Sequence, residues 1–562
     1  MKTRTFILLI LLATAVAVSA SDKLYLERLY QPVILQSGPL YDLRGIPLDQ
    51  LYLYAFDENG GWRMMPFQFD QRRRAEDPFK EGDTTAWRHS YFLEEDGILD
   101  EEDELVFLVR DLGDQAPDYV WIEDADSRSH PRLELVFTDP TAPGVKGYAY
   151  LYCSATITEP VPTPYSFSYN SDQDRVETHC YSVAMSKEDG LIRDILIKPP
   201  FGNGVDFFDT QKFRFSGIID NGTFPIYMVT NESVFYLYDY RKVTPKPVVR
   251  LIREVRETIK LGSDPQDDVA FYVTTKFYPF SGTIDGGEKL DVESLHNAFP
   301  DADLYINFKY LRQSWDFNQA ASGMRFFSKR NQDVLVDGVK DAIDTTVTLP
   351  VREWTLLSGS QGSFFTYTQF PDTVAQTMGL YYWDSQTGAP RDSAEVELED
   401  SGDNMSYGDH GLYFKNVASL RLGFTAYFLP ANRSKSDAEK LSDAIAHPLQ
   451  CQGRMVDYPT AVESTSRSGP WQFDLGQNYP NPFNNTTAIR FQLDRRGLVS
   501  LRVVDRSGRT VTQLLHHVMD AGTHELSWNG RDQNNREIAS GIYFYELSAG
   551  AQIARKTMVL LK

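Results

Sequence analysis

The run Glu94–Glu104, Glu-Glu-Asp-Gly-Ile-Leu-Asp-Glu-Glu-Asp-Glu, places carboxylates at close spacing around a turn glycine. Ca²⁺ takes about six to eight oxygens from flexible loops of this kind. Glu94 and Asp96 would be early ligands, the Ile98 carbonyl a backbone ligand, and Asp100 and Asp103 the closing carboxylates. Packing so many like charges without a cation costs stability, which favours calcium. The alternative is a solvated acidic turn ahead of a strand over 105–109. A second group lies in Asp400-Ser-Gly-Asp-Asn-Met-Ser-Tyr-Gly-Asp-His-Gly411. Its glycines predict a loop between strands, and loops on rigid β scaffolds often carry function. Asp409 and His410, with Asp403 and Tyr407 nearby, could act in general acid–base work or hold a metal. The plainer reading is an Asx-turn loop with a surface histidine. Trp62, Trp315, Tyr381, Tyr382 and Trp383 are candidate sugar-stacking platforms. With 31 Tyr and 34 Phe in the chain, most aromatics must nevertheless be core.

Other chemistries lack their motifs. The sequence holds no G-x-S-x-G elbow, H-E-x-x-H, P-loop or G-x-G-x-x-G. Nothing calls for an organic cofactor. Paired-carboxylate glycosidase chemistry stays open, because its two acids need only meet in space. The Glu94–Asp103 spacing partly resembles EF-hand-type and thrombospondin-type calcium loops. It departs from the EF-hand pattern at Phe92, where the first Asp would stand, and at Asp103, where a bidentate Glu would close the loop.

The elements that must position these residues read as strands. Short runs rich in Tyr, Phe, Val, Ile and Leu recur between Gly, Pro, Asn and Asp clusters, as at 51–56, 105–109, 132–137, 234–240, 269–278, 304–311, 363–370 and 420–428. One helix is expected near 436–447, with Ser436 and Glu439 as its capping box and Pro448 closing it. Glu159-Pro-Val-Pro-Thr-Pro164 reads as a stiff linker and sets a boundary near 158. The stretches Pro47–Asp57 and Trp62–Asp70 faintly resemble the β-barrel domains that open some secreted polysaccharide-processing proteins.

The chain has 562 residues and a formal net charge of -22. That balance excludes a nucleic-acid partner, since phosphate contacts need a basic surface. Lys2 and Arg4, the apolar run Phe6 to Val18, and Ser19-Ala20 form a signal-peptide pattern, with cleavage expected after Ala20. The chain is thus expected to leave the cytoplasm. Three cysteines, Cys153, Cys180 and Cys451, leave at least one thiol unpaired, and Cys153 could pair with Cys180.

From Gln472 to Lys562 alternating strands at 488–493, 499–505, 523–528 and 542–547 predict a small β-sandwich. Eleven Lys and Arg face eight Asp and Glu there, a net of +3, against -27 over residues 21–471. The tail therefore reads as a separate module after a small polar linker at 461–471. Gln477-Asn-Tyr-Pro-Asn-Pro-Phe-Asn484, Thr487, Val503-Val-Asp-Arg-Ser-Gly508, Gly522, Trp528, Ala539-Ser-Gly-Ile-Tyr-Phe-Tyr545 and Lys556–Lys562 follow in order. In these blocks the tail resembles the type A C-terminal sorting domain of the type IX secretion system. It departs at Val504, where that family usually has Tyr or Phe. The resemblance implies passage across an outer membrane, removal by a sortase-like peptidase, and attachment of the body to lipopolysaccharide or its release. A related immunoglobulin-like module occurs in flagellar hook-capping proteins, where it would be a plain adhesive sandwich.

The expectation is a mainly β, multidomain chain. A signal peptide at 1–20 precedes an N-terminal β domain at 21–158 and a larger β-rich domain at 159–460. This β-sandwich or β-barrel body is followed by an immunoglobulin-like β-sandwich at 472–562. The body would be a calcium-stabilised surface or secreted protein binding carbohydrate or another surface partner. The alternatives are a polysaccharide lyase or glycoside hydrolase, and a structural envelope protein.

Overall fold

The computed structural model describes residues 26–76, 87–92, 96–142, 144–220, 225–230, 235–259, 269–285, 290–291, 305–348, 351–370, 375–387, 405–417, 419–420, 423–459, 473–493, 497–506, 509–519, 522–533, 536–549 and 552–561. Ala20, Glu94 and Asp403 lie outside them. The chain forms two compact units, Met1–Tyr458 and Pro459–Lys562, and it is mainly β as expected.

The first unit opens with a five-stranded antiparallel sheet. Its order is Gly61–Met64, Leu51–Asp57, Lys146–Cys153, Arg132–Thr138 and Gln450–Val456. Alternation along these strands splits aliphatic from aromatic side chains. Leu53, Leu135 and Leu151 pack one face against the three-stranded sheet Pro32–Leu35, Glu104–Leu108, Gln68–Asp70. Tyr54, Tyr150 and Tyr152 take the other face.

The expected boundary near 158 does not separate two units. The strand Gln450–Val456 returns from the far end of the body to complete the N-terminal sheet. Arg28, fully buried, binds Asp139 at 2.5 Å and donates to the Ala444 and His447 carbonyls, each at 2.9 Å. A Pro-rich segment reads as a linker only if nothing after it comes back, and here the chain does.

Besides a four-stranded antiparallel sheet (Phe167–Asn170, Arg175–Thr178, Tyr181–Met185, Ile192–Ile197) and two two-stranded ribbons, the unit holds two larger antiparallel sheets. The nine-stranded one runs Phe235–Val243, Leu251–Ile259, Val269–Phe277, Ser281–Asp285, Gly423–Leu429, Gly362–Phe370, Val351–Gly359, Arg325–Ser328, Val334–Leu335. The five-stranded one runs Pro225–Thr230, Phe208–Asp220, Tyr305–Phe317, Ser406–Val417, Ala375–Ser385. Phe213, Leu311, Trp315 and Phe317 of the five-stranded sheet share a core with Phe364, Phe424 and Phe428 of the nine-stranded sheet. The helix spans Lys435–Ala446 and buries Ala438, Leu441 and Ala444. Its capping box is Ser434 with Asp437, two residues ahead of the expected pair, because Ser434 takes the extended N-cap conformation.

The second unit is the expected immunoglobulin-like sandwich. One sheet is Phe473–Leu475, Thr487–Leu493, Gly522–Trp528; the other is Thr510–Met519, Gly497–Val504, Gly541–Ala549, Gln552–Leu560. Ile489, Phe491, Val503, Trp528 and Leu547 fill its core. The Asn-Tyr-Pro-Asn-Pro-Phe segment is pinned rather than free. Asn478 donates from its backbone to the Tyr545 hydroxyl at 2.9 Å and from its side chain to Thr487 Oγ1 at 2.9 Å. Tyr545 in turn donates to the Gly476 carbonyl at 2.7 Å.

Candidate functional site

Five residues nominated from the sequence meet on the five-stranded sheet of the first unit. Trp315 pairs with His410, and His410 pairs with Tyr382; Asp409 pairs with Trp383. Directly opposed residues share a face and sequence neighbours do not. The five therefore divide between two faces.

Trp315, His410 and Tyr382 point into the core. Trp315 is 4% exposed and packs edge-on to Phe424. His410 is fully buried, stacked on Phe317 with its Nδ1 2.8 Å from the Gly408 carbonyl. Burial pushes its imidazole down to about 4, so it is neutral at physiological pH. Its segment is the strand Ser406–Val417, not a loop. The glycines there serve close strand approach, since a Cβ at Gly411 would strike the Gln313 carbonyl. His410 is thus neither a surface histidine nor a reachable acid–base group.

The opposite face holds a buried charge cluster. Lys212 Nζ lies 2.6 Å from Asp316 Oδ2 and 3.8 Å from Asp409 Oδ2. Asp316 and Asp409 are 1% and 0% exposed, and Lys212 is 8% exposed. Ser406 donates to Asp316 at 3.2 Å, while among the described residues neither oxygen of Asp409 receives a hydrogen bond. Burial, reinforced by the Asp409 charge, pushes the Asp316 carboxyl up to about 7. The Lys212 ammonium is disfavoured by burial, but Asp316 and Asp409 outweigh that and raise it. Lys212 and Asp316 escaped sequence reading because a charged residue at every second strand position usually faces water. The polar alternation Lys212, Arg214 and Arg312, Ser314, Asp316 was the available signal.

Among the described members of the acidic run, the carboxylates turn to Arg73 and to backbone N–H groups. The Arg73 guanidinium bridges Asp96 and Asp100, the latter at 2.6 Å. Asp103 is fully buried and accepts the Asp100 backbone N–H at 2.9 Å. The Ile98 carbonyl lies 3.5 Å from Gln71 Nε2. Asp96 is lowered to about 2, chiefly by the Ile98 N–H, then by Gln71 and Arg73. Among the described residues no group of three or more His, Cys, Asp or Glu is placed to hold a metal. Arg73 supplies positive charge to two of these carboxylates. Removing it in Arg73→Ala should lower the melting temperature and make it calcium-dependent. Scans with Ca²⁺ and with chelator check this, and a calcium-dependent rise already present in the wild type would show that the ion competes with Arg73.

The aromatic platforms are largely occupied. Trp62 packs edge-on against Tyr150 and Tyr152, and these rings with Trp121 surround the fully buried Arg132 guanidinium at 4.7 to 6.0 Å. Tyr381 lies under Arg312, and Trp383 is covered by Lys340 at 4.7 Å. All three cysteines are free, with Cys153 and Cys180 in different cores; no disulfide joins them. Burial pushes the Cys451 thiol up to about 12, which makes it unreactive.

An open cavity of about 370 Å³ lies elsewhere in the same unit. Strand Pro32–Leu35 forms one wall, Ile445, Pro448 and Leu449 another, and Ser281, Thr283, Thr425 and Tyr427 of the nine-stranded sheet, with Tyr278 in the turn before Ser281, line the rest. Ser281 is 1% exposed, and among the described residues its hydroxyl has no hydrogen-bond partner. The volume suits a small ligand or one unit of a longer one. Sequence reading missed these residues because a strand of Ser and Thr carries no motif.

The second unit matches a protein family, the FlgD Ig-like domain, over residues 480–552. That match overturns the type IX sorting-domain resemblance. The physical reason is visible in the pins described above: Asn478, Thr487 and Tyr545 hold the sandwich together, so their spacing reports a fold rather than an address. No curated protein matches the chain. Among solved structures it is similar to an alpha-mannosidase from Enterococcus faecalis V583, at 8% identity over 89% of this chain and 54% of that one, TM-score 0.33. It is also similar to dimeric latent PorU (10% identity, 74% of this chain, 35% of that one, TM-score 0.15) and to PorZ (9%, 73% and 47%, TM-score 0.12), both from Porphyromonas gingivalis. The chain spans about half the length of the mannosidase, and less of the other two. At such scores the likeness carries no functional argument.

Proposed function

We propose that the protein is an exported, non-catalytic β-rich binding protein whose body takes carbohydrate, or another surface partner, in the cavity beside Ser281. One contrast carries this reading. Asp316 and Asp409, the two acids that meet beside Lys212, are sealed from solvent, whereas the open cavity is lined by Thr283, Thr425, Lys276 and apolar walls. A paired-carboxylate enzyme needs both acids within reach of the scissile bond. A binding site needs mainly apolar surface and a few placed polar groups, and Thr283, Thr425 and Lys276 fit that description. The Lys2–Ala20 pattern supports export.

The test is a panel of neutral and acidic polysaccharides presented to the full chain, read for binding and for chain cleavage. Binding without cleavage is the expected result. Thr283→Trp, which fills the mouth of the cavity, should weaken it by about tenfold or more. Cleavage of any member would overturn the non-catalytic half of the proposal. Unchanged binding in Thr283→Trp would move the site off this cavity.

A further inference from the structure

The Lys212–Asp316–Asp409 cluster has the parts of a condensation reaction. Lys212 sits on strand Phe208–Asp220 and Asp316 on the adjacent strand Tyr305–Phe317, where Lys212 opposes Ser314 and Thr210 opposes Asp316. The amine and the carboxyl are therefore diagonal neighbours on one face, with Nζ 2.6 Å from Oδ2. Asp409, on the third strand, stands 3.8 Å from the same nitrogen, and among the described residues neither of its oxygens accepts a hydrogen bond. A structural ion pair needs one carboxylate; the second, buried and left without a hydrogen-bond donor, is costly unless it does something.

We propose that Lys212 and Asp316 join in an intramolecular isopeptide bond, with Asp409 as the proton carrier. Lys212 begins as an ammonium and Asp316 as a neutral carboxyl. The ammonium passes one proton to the Asp409 carboxylate, which leaves a neutral amine. This transfer runs against the hold of Asp316 and Asp409 on the ammonium, and the condensation that follows, with release of water, draws it forward. The amine nitrogen attacks Cγ of Asp316, and a carbon–nitrogen bond forms. Asp409 relays protons from the nitrogen to the departing hydroxyl, the carbon–oxygen bond breaks, and one water leaves. The products are a secondary amide, a protonated Asp409 and water, so no oxidant or co-reactant is required. Fixing the two groups in contact supplies the effective concentration that amide formation lacks in water. The product is a covalent tie between adjacent strands of a chain whose three cysteines are all free.

Intact mass spectrometry of the denatured full chain tests this directly. The expected mass is one water lighter than the sequence of the purified species. A tryptic digest should lack cleavage after Lys212 and yield a branched peptide joining the Lys212 and Asp316 segments. Asp409→Asn should leave the chain at its unlinked mass, and Lys212→Arg should do so while keeping the ion pair. A wild-type chain at full sequence mass, or a linear peptide ending in Lys212 as the dominant product, would overturn the bond; neither readout depends on a variant folding. A bond that persists in Asp409→Asn would overturn the role given to Asp409.

Discussion

Arg250→Met should destabilise the first unit by about 3–5 kcal/mol, the cost of leaving buried carboxylates without their cation. Arg250 is fully buried and binds Asp70 at 2.5 Å and Glu104 at 2.7 Å. It thereby ties the nine-stranded sheet to the sheet that holds Glu104–Leu108. Burial raises Asp70 despite this contact. Burial opposes the ionised Glu104 too, but Arg250, Lys276 and Gln36 outweigh it and lower its carboxyl to about 2. The sign for Glu104 follows from that depression. Its stabilisation is complete above the ordinary value of 4.5 and is lost as pH falls through about 2. For Glu104 alone that is about 3 kcal/mol across the window, and the raised Asp70 offsets part of it. Denaturant titrations of wild type and Arg250→Met between neutral and acid pH check both claims. Equal midpoints at neutral pH would remove Arg250 as the tie. Arg250→Lys should recover only part of the loss, because an ammonium cannot make the forked contact.

Trp528→Ala should cost the second unit about 3–5 kcal/mol, the range for deleting a large buried aromatic. Trp528 is 2% exposed, packs against Phe483 and Tyr543, and donates from Nε1 to the Arg531 carbonyl at 3.0 Å. A sandwich of this size has little stability to spare, so the variant is expected to unfold near physiological temperature. Calorimetry of the full chain should show one transition displaced and the transition of residues 1–458 in place. A single transition that shifts as a whole would mean that the two compact units unfold together.

The correction to the C-terminal resemblance shows where motif reading stops. The described residues of these blocks lie in the sandwich, and Asn478, Thr487 and Tyr545 close it. Spacing imposed by packing is common to modules with different tasks, so it identifies architecture before it identifies address. The acidic run teaches a related lesson. Its charge density was legible, but the neutralising Arg73 lies more than twenty positions before Asp96 and Asp100, where no local pattern marks it as a partner.

The sequence alone determined the local elements: the strand-rich character, the helix Lys435–Ala446 to within a turn, the separate C-terminal sandwich and the absence of familiar catalytic motifs. These depend on periodicity, turn residues and composition, which are properties of neighbouring residues. Tertiary structure decided which face each nominated residue occupies. Asp409 and His410 are adjacent in sequence, yet one meets Lys212 and Asp316 while the other stacks on Phe317. It also decided that the body is one unit, because strand Gln450–Val456 returns to the N-terminal sheet. Contacts made across hundreds of residues are set by strand order and burial, and strand order is not written in any local window.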